Sequence, residues 1–418
     1  MNCSERPKNH SFSLAIIQWA VALVTTAGVS FRGVSKIFIF ANLYLDLNLK
    51  IPTHTTVLNW TKKQGVSQFR DKEFYKKEKW VLILDESIQF GNKKLFLVLA
   101  VPEQRCEQGN VLSYKDVRPL VLKVSSSWKS SEIAMEIGQQ IDMKQIAYCV
   151  SDGGSNLVAT FKSLKLTHIY DINHKISLII RSVFEKNSLF KKYTQALSVL
   201  RTKKSLSNIS RIVPVNQRVM SRFMNLTPLF EWGVTMSMLL EQNQVTEDEK
   251  TALSFLLSRN MKKFVFDTYH ILTALNSVQE IMKTKGFNEI SLKEATSVLS
   301  KMKGGNSSKI KKNLKAYFAE LTSKAKEKTI CCSSDIIESC LGKHKEIVKG
   351  NKSIGISDLC LCIAAVIGGA SSEITTETFE TVSMKDLKEW KEKNISKTLF
   401  AEKIAMKKNI ERKYYKKE

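Results

Sequence analysis

Residues Trp80-Val-Leu-Ile-Leu-Asp85 form an uninterrupted apolar run that ends in a carboxylate. A second segment, Ile146-Ala-Tyr-Cys-Val-Ser-Asp152, is built the same way. Short apolar runs of this kind are typical of strands that are buried on both faces, as in sheets covered by helices. The two runs therefore predict neighbouring strands of an α/β sheet, each of which delivers an aspartate at or near its end.

Further strands and helices are predicted around this pair. Strand-like segments lie at 95–101, 117–124 and 166–170, and helical spacing is found at 130–140 and 155–164 and again after residue 170. Three meandering strands followed by helix, strand, helix and strand is the element order of a ribonuclease H-like fold. The predicted fold class is therefore α/β, with a ribonuclease H-like mixed five-stranded sheet whose chemistry lies at the carboxyl ends of its strands.

A third carboxylate lies far downstream in Ser334-Asp-Ile-Ile-Glu338-Ser-Cys-Leu-Gly-Lys-His-Lys345. This segment is predicted to be a helix that carries Glu338. The gap between Asp152 and Glu338 is too long for an uninterrupted domain of this fold. Residues 188–328 are mostly helical in spacing and rich in lysine, so an all-α insertion is predicted there.

The N-terminal region is predicted to form a small three-helix unit. Apolar residues have helical spacing from 10 to 26, Ser30 is a good N-cap for a second helix, and Pro52 opens a third that Gly65 ends. This order, with a third helix rich in Thr, Asn and Lys, is typical of a helix-turn-helix-like DNA-binding domain. A plain helical bundle is the alternative. The side chains predicted to contact DNA are Arg32, Lys36, Thr55, Thr56, Lys62 and Lys63.

The charge balance also points to a polyanion as partner. The 418 residues include 65 Lys and Arg against 40 Asp and Glu, a formal net charge of +25. Such an excess usually serves to neutralise DNA or RNA. A lysine-rich coding bias is the alternative, although that bias alone does not make Asp and Glu scarce. Double-stranded DNA is the predicted partner.

These patterns divide the chain into five predicted segments. No apolar run is long enough to span a bilayer, so no membrane partner is expected and a cytoplasmic, nucleoid-associated location is predicted. The segments are a DNA-binding domain (1–70), the first part of the catalytic domain (71–187), the helical insertion (188–328), the last part of the catalytic domain (329–370) and a basic helical tail (371–418).

Three carboxylates delivered in this order fit a two-metal site for phosphoryl transfer. Two Mg²⁺ (or Mn²⁺) ions place a nucleophile in line with phosphorus and offset developing charge, and magnesium prefers oxygen ligands. Asp85 is expected to bridge the ions, while Asp152 and Glu338 each hold one. Alternatively, Asp152 only starts a turn and Glu338 is an exposed helix charge. Glu86 is expected to point to the face opposite Asp85.

On these residues the chain resembles the DDE transposases of bacterial insertion sequences. The resemblance rests on Leu84-Asp85, on Val150-Ser-Asp152-Gly and on the segment from Ile337-Glu338 to Lys345. It covers the N-terminal helical domain, the sheet-bearing core and the last catalytic helix. It implies binding to transposon ends, strand nicking and joining of a 3′-hydroxyl to target DNA, by a homodimer or larger assembly on paired ends.

The resemblance implies further site residues. Asp171-Ile-Asn-His174 looks like the C/D-x-x-H element of hAT and Mutator-type transposases, where the histidine shuttles a proton or contacts phosphate; an N-cap aspartate with a surface histidine is the alternative. Trp232 lies in a helical insertion similar to those in which a tryptophan stacks on a flipped base; a core tryptophan is the alternative.

Two lysines follow the predicted catalytic glutamate. Lys345 matches a lysine that follows the glutamate in some insertion-sequence families and is counted as catalytic. Cys331 and Ser334 stand where those families have Tyr and Arg, so Lys343 is expected to help hold the end DNA, and no family within the class is assigned.

The predicted function is that of a DNA transposase that binds transposon ends and catalyses metal-dependent strand cleavage and strand transfer. Two alternatives stay open. One is a related metal-dependent nuclease that cuts without joining, and the other is a domesticated DNA-binding protein without catalysis.

Overall fold

The computed structural model describes most of the chain. The described residues are 6–70, 73–76, 78–90, 93–204, 208–215, 223–348, 357–367, 376–396, 403–404 and 406–408. Within these ranges, no helix combines the length and the apolar character that crossing a bilayer requires.

A mixed five-stranded sheet lies at the centre of the fold. Its strands are β1 (Trp80–Phe90), β2 (Lys93–Pro102), β3 (Arg118–Ser125), β4 (Ile146–Ser151) and β5 (His168–Tyr170). Their order across the sheet is β3-β2-β1-β4-β5. β2 is antiparallel to β1 and to β3, whereas β4 is parallel to β1. The α/β class and the five strands predicted from the sequence are confirmed.

Helices make up most of the remaining described chain. In chain order they are α1 (Leu14–Thr25), α2 (Phe31–Leu45), α3 (His54–Ser67), α4 (Glu103–Glu107), α5 (Ser130–Gly138), α6 (Ser155–Ser163), α7 (Ile172–Phe184), α8 (Ser188–Lys204), α9 (Thr227–Glu241), α10 (Glu247–Ala252), α11 (Arg259–Lys285), α12 (Glu289–Lys301), α13 (Ser307–Ala325), α14 (Asp335–Val348), α15 (Leu361–Ile367), α16 (Thr376–Thr381) and α17 (Met384–Asn394).

Two compact units divide the chain. The first comprises residues 1–105, 112–168 and 334–418, and the second comprises 106–111 and 169–333. The first unit contains β1 to β4 and the carboxylates predicted at positions 85, 152 and 338. The second contains α7 to α13, so the predicted insertion, 188–328, lies wholly inside it.

The apolar runs of β1 and β4 are buried, apart from Ala147, which is half-buried. Trp80, Leu82 and Leu84 of β1 pack with Cys149 of β4 in one apolar cluster. Helices α5 and α6 add apolar side chains to that cluster, among them Ile133 and Phe161. Because successive side chains of a strand alternate between faces, Asp85 lies on the other face of β1. The hydrophobic cluster thus fixes which way the aspartate is directed.

β1 differs from the prediction at its end. It was expected to stop at Leu84, but it continues through Asp85 to Phe90. Its pairing with β2 shifts register between Asp85 and Ile88, so two residues of β1 stand opposite the single residue Phe96. This is a β-bulge, a feature that re-aims side chains and is common beside active sites.

The first three helices pack around a separate apolar core. It includes Ile17 of α1, Phe38 of α2 and Trp60 of α3. The Ser30 side chain accepts a hydrogen bond from Gly33 N at 3.1 Å and caps α2, as predicted. Thr53 caps α3 in the same way, through Thr56 N at 3.2 Å. The three predicted helices are therefore present.

The predicted end of α3 at Gly65 is wrong. The helix runs on to Ser67, and Gly65 lies inside it. A Cβ atom at Gly65 would stand 2.3 Å from the main-chain oxygen of Leu361. The glycine is therefore a point of close approach between α3 and α15, not a helix stop, and no local sequence pattern signals that contact.

Candidate active site

Asp85 and Asp152 come together through the register of two parallel strands. Leu84 of β1 pairs with Ser151 of β4, and each aspartate is the next residue. Asp85 is only 9% exposed, whereas Asp152 is half-buried. Two carboxylates therefore follow adjoining residues at the carboxyl end of the β1–β4 pairing, as the sequence predicted.

The chain turns sharply after Asp152. Its Oδ1 accepts a hydrogen bond from Gly154 N at 2.9 Å, and Gly153 has a φ of 76°, in the left-handed region. The turn-starting role considered for Asp152 is therefore real. It leaves the other carboxylate oxygen, Oδ2, outside that hydrogen bond, so the two roles are compatible.

A histidine that the sequence analysis did not single out supports this turn. His168 Nε2 lies 3.0 Å from Ser151 Oγ, and Gly153 N donates to the same oxygen at 3.4 Å. The His168 ring packs on Phe161 of α6, with ring centroids 4.9 Å apart. Ser151 is fully buried, so this network holds the residue that precedes Asp152.

Glu86 follows Asp85 on β1 and is half-buried, and the expectation that it faces away from Asp85 stays a prediction. Burial raises the pKa of Glu86, the Lys94 ammonium lowers that pKa, and the negative charge of Asp152 raises it. In the bulge, Glu86 and the next residue together stand opposite Phe96, so the alternation from Asp85 to Glu86 is kept.

Glu338 lies in the first turn of α14 and is exposed. The neighbouring Ser339 Oγ lies 2.6 Å from the hydroxyl of Tyr114, and α14 packs against β1. The helix that carries the third predicted carboxylate is thus fixed within the same unit as Asp85 and Asp152.

The donor chemistry of this region suits a hard divalent cation. Carboxylate oxygens are the ligands that Mg²⁺ prefers, and a cation would offset the repulsion between Glu86 and Asp152. Across the described residues, no group of three or more His, Cys, Asp or Glu side chains is gathered closely enough to hold a metal ion. Asp85, Asp152 and Glu338 are therefore not gathered into a metal site in this structure, and the fit of the two aspartates to a cation rests on their donor chemistry and on the strand register.

His174 belongs to the second unit and is paired with Asp171. Asp171 is buried, and its Oδ1 caps α7 by accepting from His174 N at 2.8 Å. His174 Nδ1 lies 3.0 Å from the same oxygen. The alternative considered for this motif, an N-cap aspartate beside a partly exposed histidine, therefore describes its local structure. A catalytic role for His174 stays a prediction.

The two lysines after Glu338 point in different directions. Lys345 is exposed and lies seven positions after Glu338, which places both on the same side of α14. Lys343 Nζ lies 3.4 Å from Glu346 Oε2. Lys343 also lines a cavity of about 80 Å³ beside Val29 and Phe31 at the junction of α1 and α2.

The residues expected to contact DNA separate into two groups. Arg32, Lys36 and Thr55 are exposed, and Thr56 is half-buried. Lys62 and Lys63 are only 9% exposed, contrary to expectation. Burial of this degree leaves these two side chains little surface for a phosphate contact.

The buried lysines have partners far away in sequence. Lys62 Nζ forms an ion pair with Asp358 at 2.8 Å. Lys63 Nζ lies 3.4 Å from His10 Nε2, and burial lowers the pKa of Lys63. Helical spacing alone did not reveal that this part of α3 faces the interior, because α15, α16 and α17 cover it.

Trp232 is a half-buried residue of α9. Its indole N–H donates to the main-chain oxygen of Ile212 at 3.1 Å. The polar group of the ring is therefore used within the second unit. Stacking of Trp232 on a flipped base stays a prediction.

His344 of α14 predicts a measurable acid sensitivity. The side chain is 2% exposed, and its Nδ1 has no hydrogen-bond partner among the described residues. Burial, and secondly the charge of Lys345, lower the pKa of His344 to about 4. His344 therefore binds a proton near pH 6.5 in the unfolded chain but only near pH 4 in the folded chain. Because protonation then favours the unfolded chain, the free energy of unfolding falls as the pH is lowered.

We expect His344 to remove about 2 kcal/mol from the free energy of unfolding between pH 7 and pH 5. Urea unfolding at the two pH values measures the change. In His344→Phe that part of the pH dependence should vanish, whereas His54→Phe, at an exposed position, serves as the control. An unchanged slope in His344→Phe would contradict the assignment.

No protein-family model matches the chain, and no curated protein matches it.

Proposed function

We propose that this chain is a DNA transposase of the DDE type, acting through a ribonuclease H-like catalytic domain. One observation carries the proposal: Asp85 and Asp152 follow paired residues of two parallel strands at the centre of a sheet ordered β3-β2-β1-β4-β5. That strand order, with an antiparallel β1-β2-β3 meander and a parallel β4, is what a ribonuclease H-like fold has. The strand order supports the proposed fold, and the positions of the two aspartates support the proposed chemistry.

The proposed roles follow from donor chemistry. Asp85, Asp152 and Glu338 bind two Mg²⁺ or Mn²⁺ ions, which when bound supply positive charge to the phosphate oxygens of DNA. Asp85 is the most buried of the three. Lys345 is proposed to contact the reacting phosphate or its leaving group, and Glu86 adds a further carboxylate on β1.

The first three helices are proposed to bind the transposon ends as a helix-turn-helix-like unit. The N-terminal turn of α3 has Thr55 exposed, and recognition helices contact base edges with their N-terminal residues. Arg32 and Lys36 lie four residues apart on α2 and offer exposed cations for phosphates. The net charge of +25 favours the same partner.

The proposal is tested by incubating the protein with DNA that flanks its own gene, in the presence of Mg²⁺ or Mn²⁺. Cleavage at the ends followed by joining to target DNA is the expected result. Cleavage without joining identifies the nuclease alternative. Binding of the ends without any cleavage identifies the domesticated DNA-binding alternative. If the protein neither binds nor cleaves this DNA, the proposal is wrong.

Thr55→Ala is expected to weaken binding to the end sequence about tenfold, since losing one base-edge contact costs roughly 1–3 kcal/mol. Nicking of unrelated DNA should persist, because the carboxylates are untouched. Titration of labelled end DNA against a scrambled duplex measures the difference. Thr273→Ala, at an exposed threonine of α11, is the matched control; equal losses on both duplexes would show that α3 does not distinguish sequence.

A further inference from the structure

A lysine-rich stretch of the second unit lies where α12 is followed by α13. Residues 295–319 contain six lysines and neither aspartate nor glutamate. The stretch therefore supplies six of the chain's net +25 positive charges. Its lysines are Lys301, Lys303, Lys309, Lys311, Lys312 and Lys315.

Three of these lysines lie on the exposed side of α13. Lys309, Lys312 and Lys315 follow one another at intervals of three, and all three are exposed. The buried residues of the helix, Ile310 and Leu314 among them, project from the opposite side. Because a helix rises 1.5 Å per residue, the three lysines extend along about 9 Å. We name these three residues the α13 ridge.

Two further cations, Lys301 and Lys303, precede the α13 ridge. Lys311 Nζ donates to Ser300 O at 3.2 Å, which ties the second turn of α13 to the end of α12. Lys301 is the residue after Ser300, and both it and Lys303 are exposed. This contact therefore brings cations of α12 and of the following loop towards the start of α13.

Within the part of the chain that the structure describes, none of the six lysines forms an ion pair with a carboxylate. Lys285 of the same unit, by contrast, is paired with Glu294. Lys309 Nζ donates to Ser182 O at 3.4 Å, but a carbonyl group carries no net charge. The positive charge of the α13 ridge is therefore not offset by an acidic neighbour.

The positions of these lysines disfavour the helix that carries them. Like charges three residues apart on a helix repel each other, and a cation in a first turn is opposed by the helix macrodipole. Lys309 lies in the first turn of α13, which has no acidic residue. An anion that binds the α13 ridge would relieve both effects.

The chemistry of the α13 ridge suits a polyanion better than a membrane or a protein. A helix that lies on a membrane needs an exposed apolar side, whereas apolar residues of α13 such as Ile310 and Leu314 are buried. Protein interfaces usually have an aromatic or apolar centre, whereas the ridge consists of lysines alone. The phosphates of nucleic acid are bound mainly by lysine and arginine.

We propose that the α13 ridge, together with Lys301 and Lys303, binds the phosphates of duplex DNA irrespective of sequence. This contact is separate from the proposed reading of the end sequence by α3. The choice of DNA as the polyanion rests on the proposed function, whereas the cationic surface itself does not. Phosphate contacts position a duplex but carry no sequence information directly.

The test measures the binding of the full-length protein to end DNA and to unrelated duplexes over a range of salt concentrations, without divalent metal. Combining Lys309→Gln, Lys312→Gln and Lys315→Gln should weaken binding at least about tenfold on both kinds of duplex. The slope of log K against log salt should become shallower by about one for each lysine. Glutamine is a good helix former, so the melting temperature should stay the same or rise.

The matched control combines Lys385→Gln, Lys388→Gln and Lys391→Gln on α17. These lysines have the same spacing, are exposed and lower the net charge by the same amount. Acidic residues are interspersed among them, however, and Lys385 Nζ lies 3.7 Å from Glu389 Oε1. The α17 variant should therefore bind both duplexes with nearly unchanged affinity and salt slope.

Three results would overturn the proposal. Equal losses in the two variants would mean that net charge alone decides binding. An unchanged salt slope in the α13 variant would remove the ridge from the contact, and tighter binding of duplex RNA or of anionic vesicles would identify another partner. If the ends are still cleaved and joined, these results leave the proposed function intact. If the α13 variant alone loses affinity but no DNA is ever cleaved, the ridge stands and the transposase proposal fails.

Discussion

Asp85→Asn should reduce metal-dependent cleavage and joining on the order of a thousandfold or more, while end binding and the melting temperature stay close to those of the unmodified chain. Removing a single positioned group from a site that stabilises transition-state charge costs about 10²–10³ in rate, and Asp85 is proposed to contact both ions. Asn has nearly the same shape as Asp, so the packing of this 9% exposed side chain is kept. What is lost is the negative charge that holds the metal.

The matched control is Asp142→Asn in the same unit. Asp142 is exposed and caps the turn at Met143 by accepting from Lys144 N at 2.9 Å. Asn is an equally good cap, so this variant should retain cleavage, joining and stability. Timed assays of both products in Mg²⁺ and in Mn²⁺ measure the effect. Full activity of Asp85→Asn would remove Asp85 from the site.

Asp85 must also be distinguished from its neighbour. Burial and, to a smaller extent, the negative charge of Asp152 raise the pKa of Glu86. In the proposed site Glu86 is an additional carboxylate, so Glu86→Gln should cost less activity than Asp85→Asn in the same assay. If the order of the two losses were reversed, Glu86 would be the principal ligand on β1.

Much of the sheet was predictable because its signals are local. Trp80 to Leu84 and residues 146–150 are apolar without interruption, which a strand covered on both faces requires. The placement of Asp85 beside Asp152 followed, since parallel neighbours end at the same edge. Ser30 as a helix cap is equally local, because a cap depends on the next three residues.

The features that were missed depend on contacts between distant parts of the chain. In the sequence, Lys62 resembles a DNA-contacting lysine. In the structure it forms an ion pair with Asp358, which lies far along the sequence. Lys63 is covered in the same way, with His10 beside its ammonium group. The bulge of β1 was also missed, because a bulge has no strong sequence signature of its own.

Gly65→Ala should lower the free energy of unfolding by at least about 3 kcal/mol, since overpacking of a filled interior typically costs 1–3 kcal/mol and sometimes more. Ala is usually the better helix former, so helix propensity alone predicts the opposite sign. The added methyl group, however, would stand 2.3 Å from the main-chain oxygen of Leu361. A main-chain atom in α15 cannot rotate aside, so α3 and α15 must separate.

Gly342→Ala is the matched control, because Gly342 also lies inside a helix but nothing stands within 4 Å of its Cβ position. That variant should gain roughly 0.5–1 kcal/mol. Chemical unfolding of both variants with one denaturant gives the comparison. A loss in Gly65→Ala and a gain in Gly342→Ala would show that α3 is fixed against α15. Equal gains would mean that the close approach is absent in solution, and the burial of Lys62 and Lys63 would then have to be reconsidered with it.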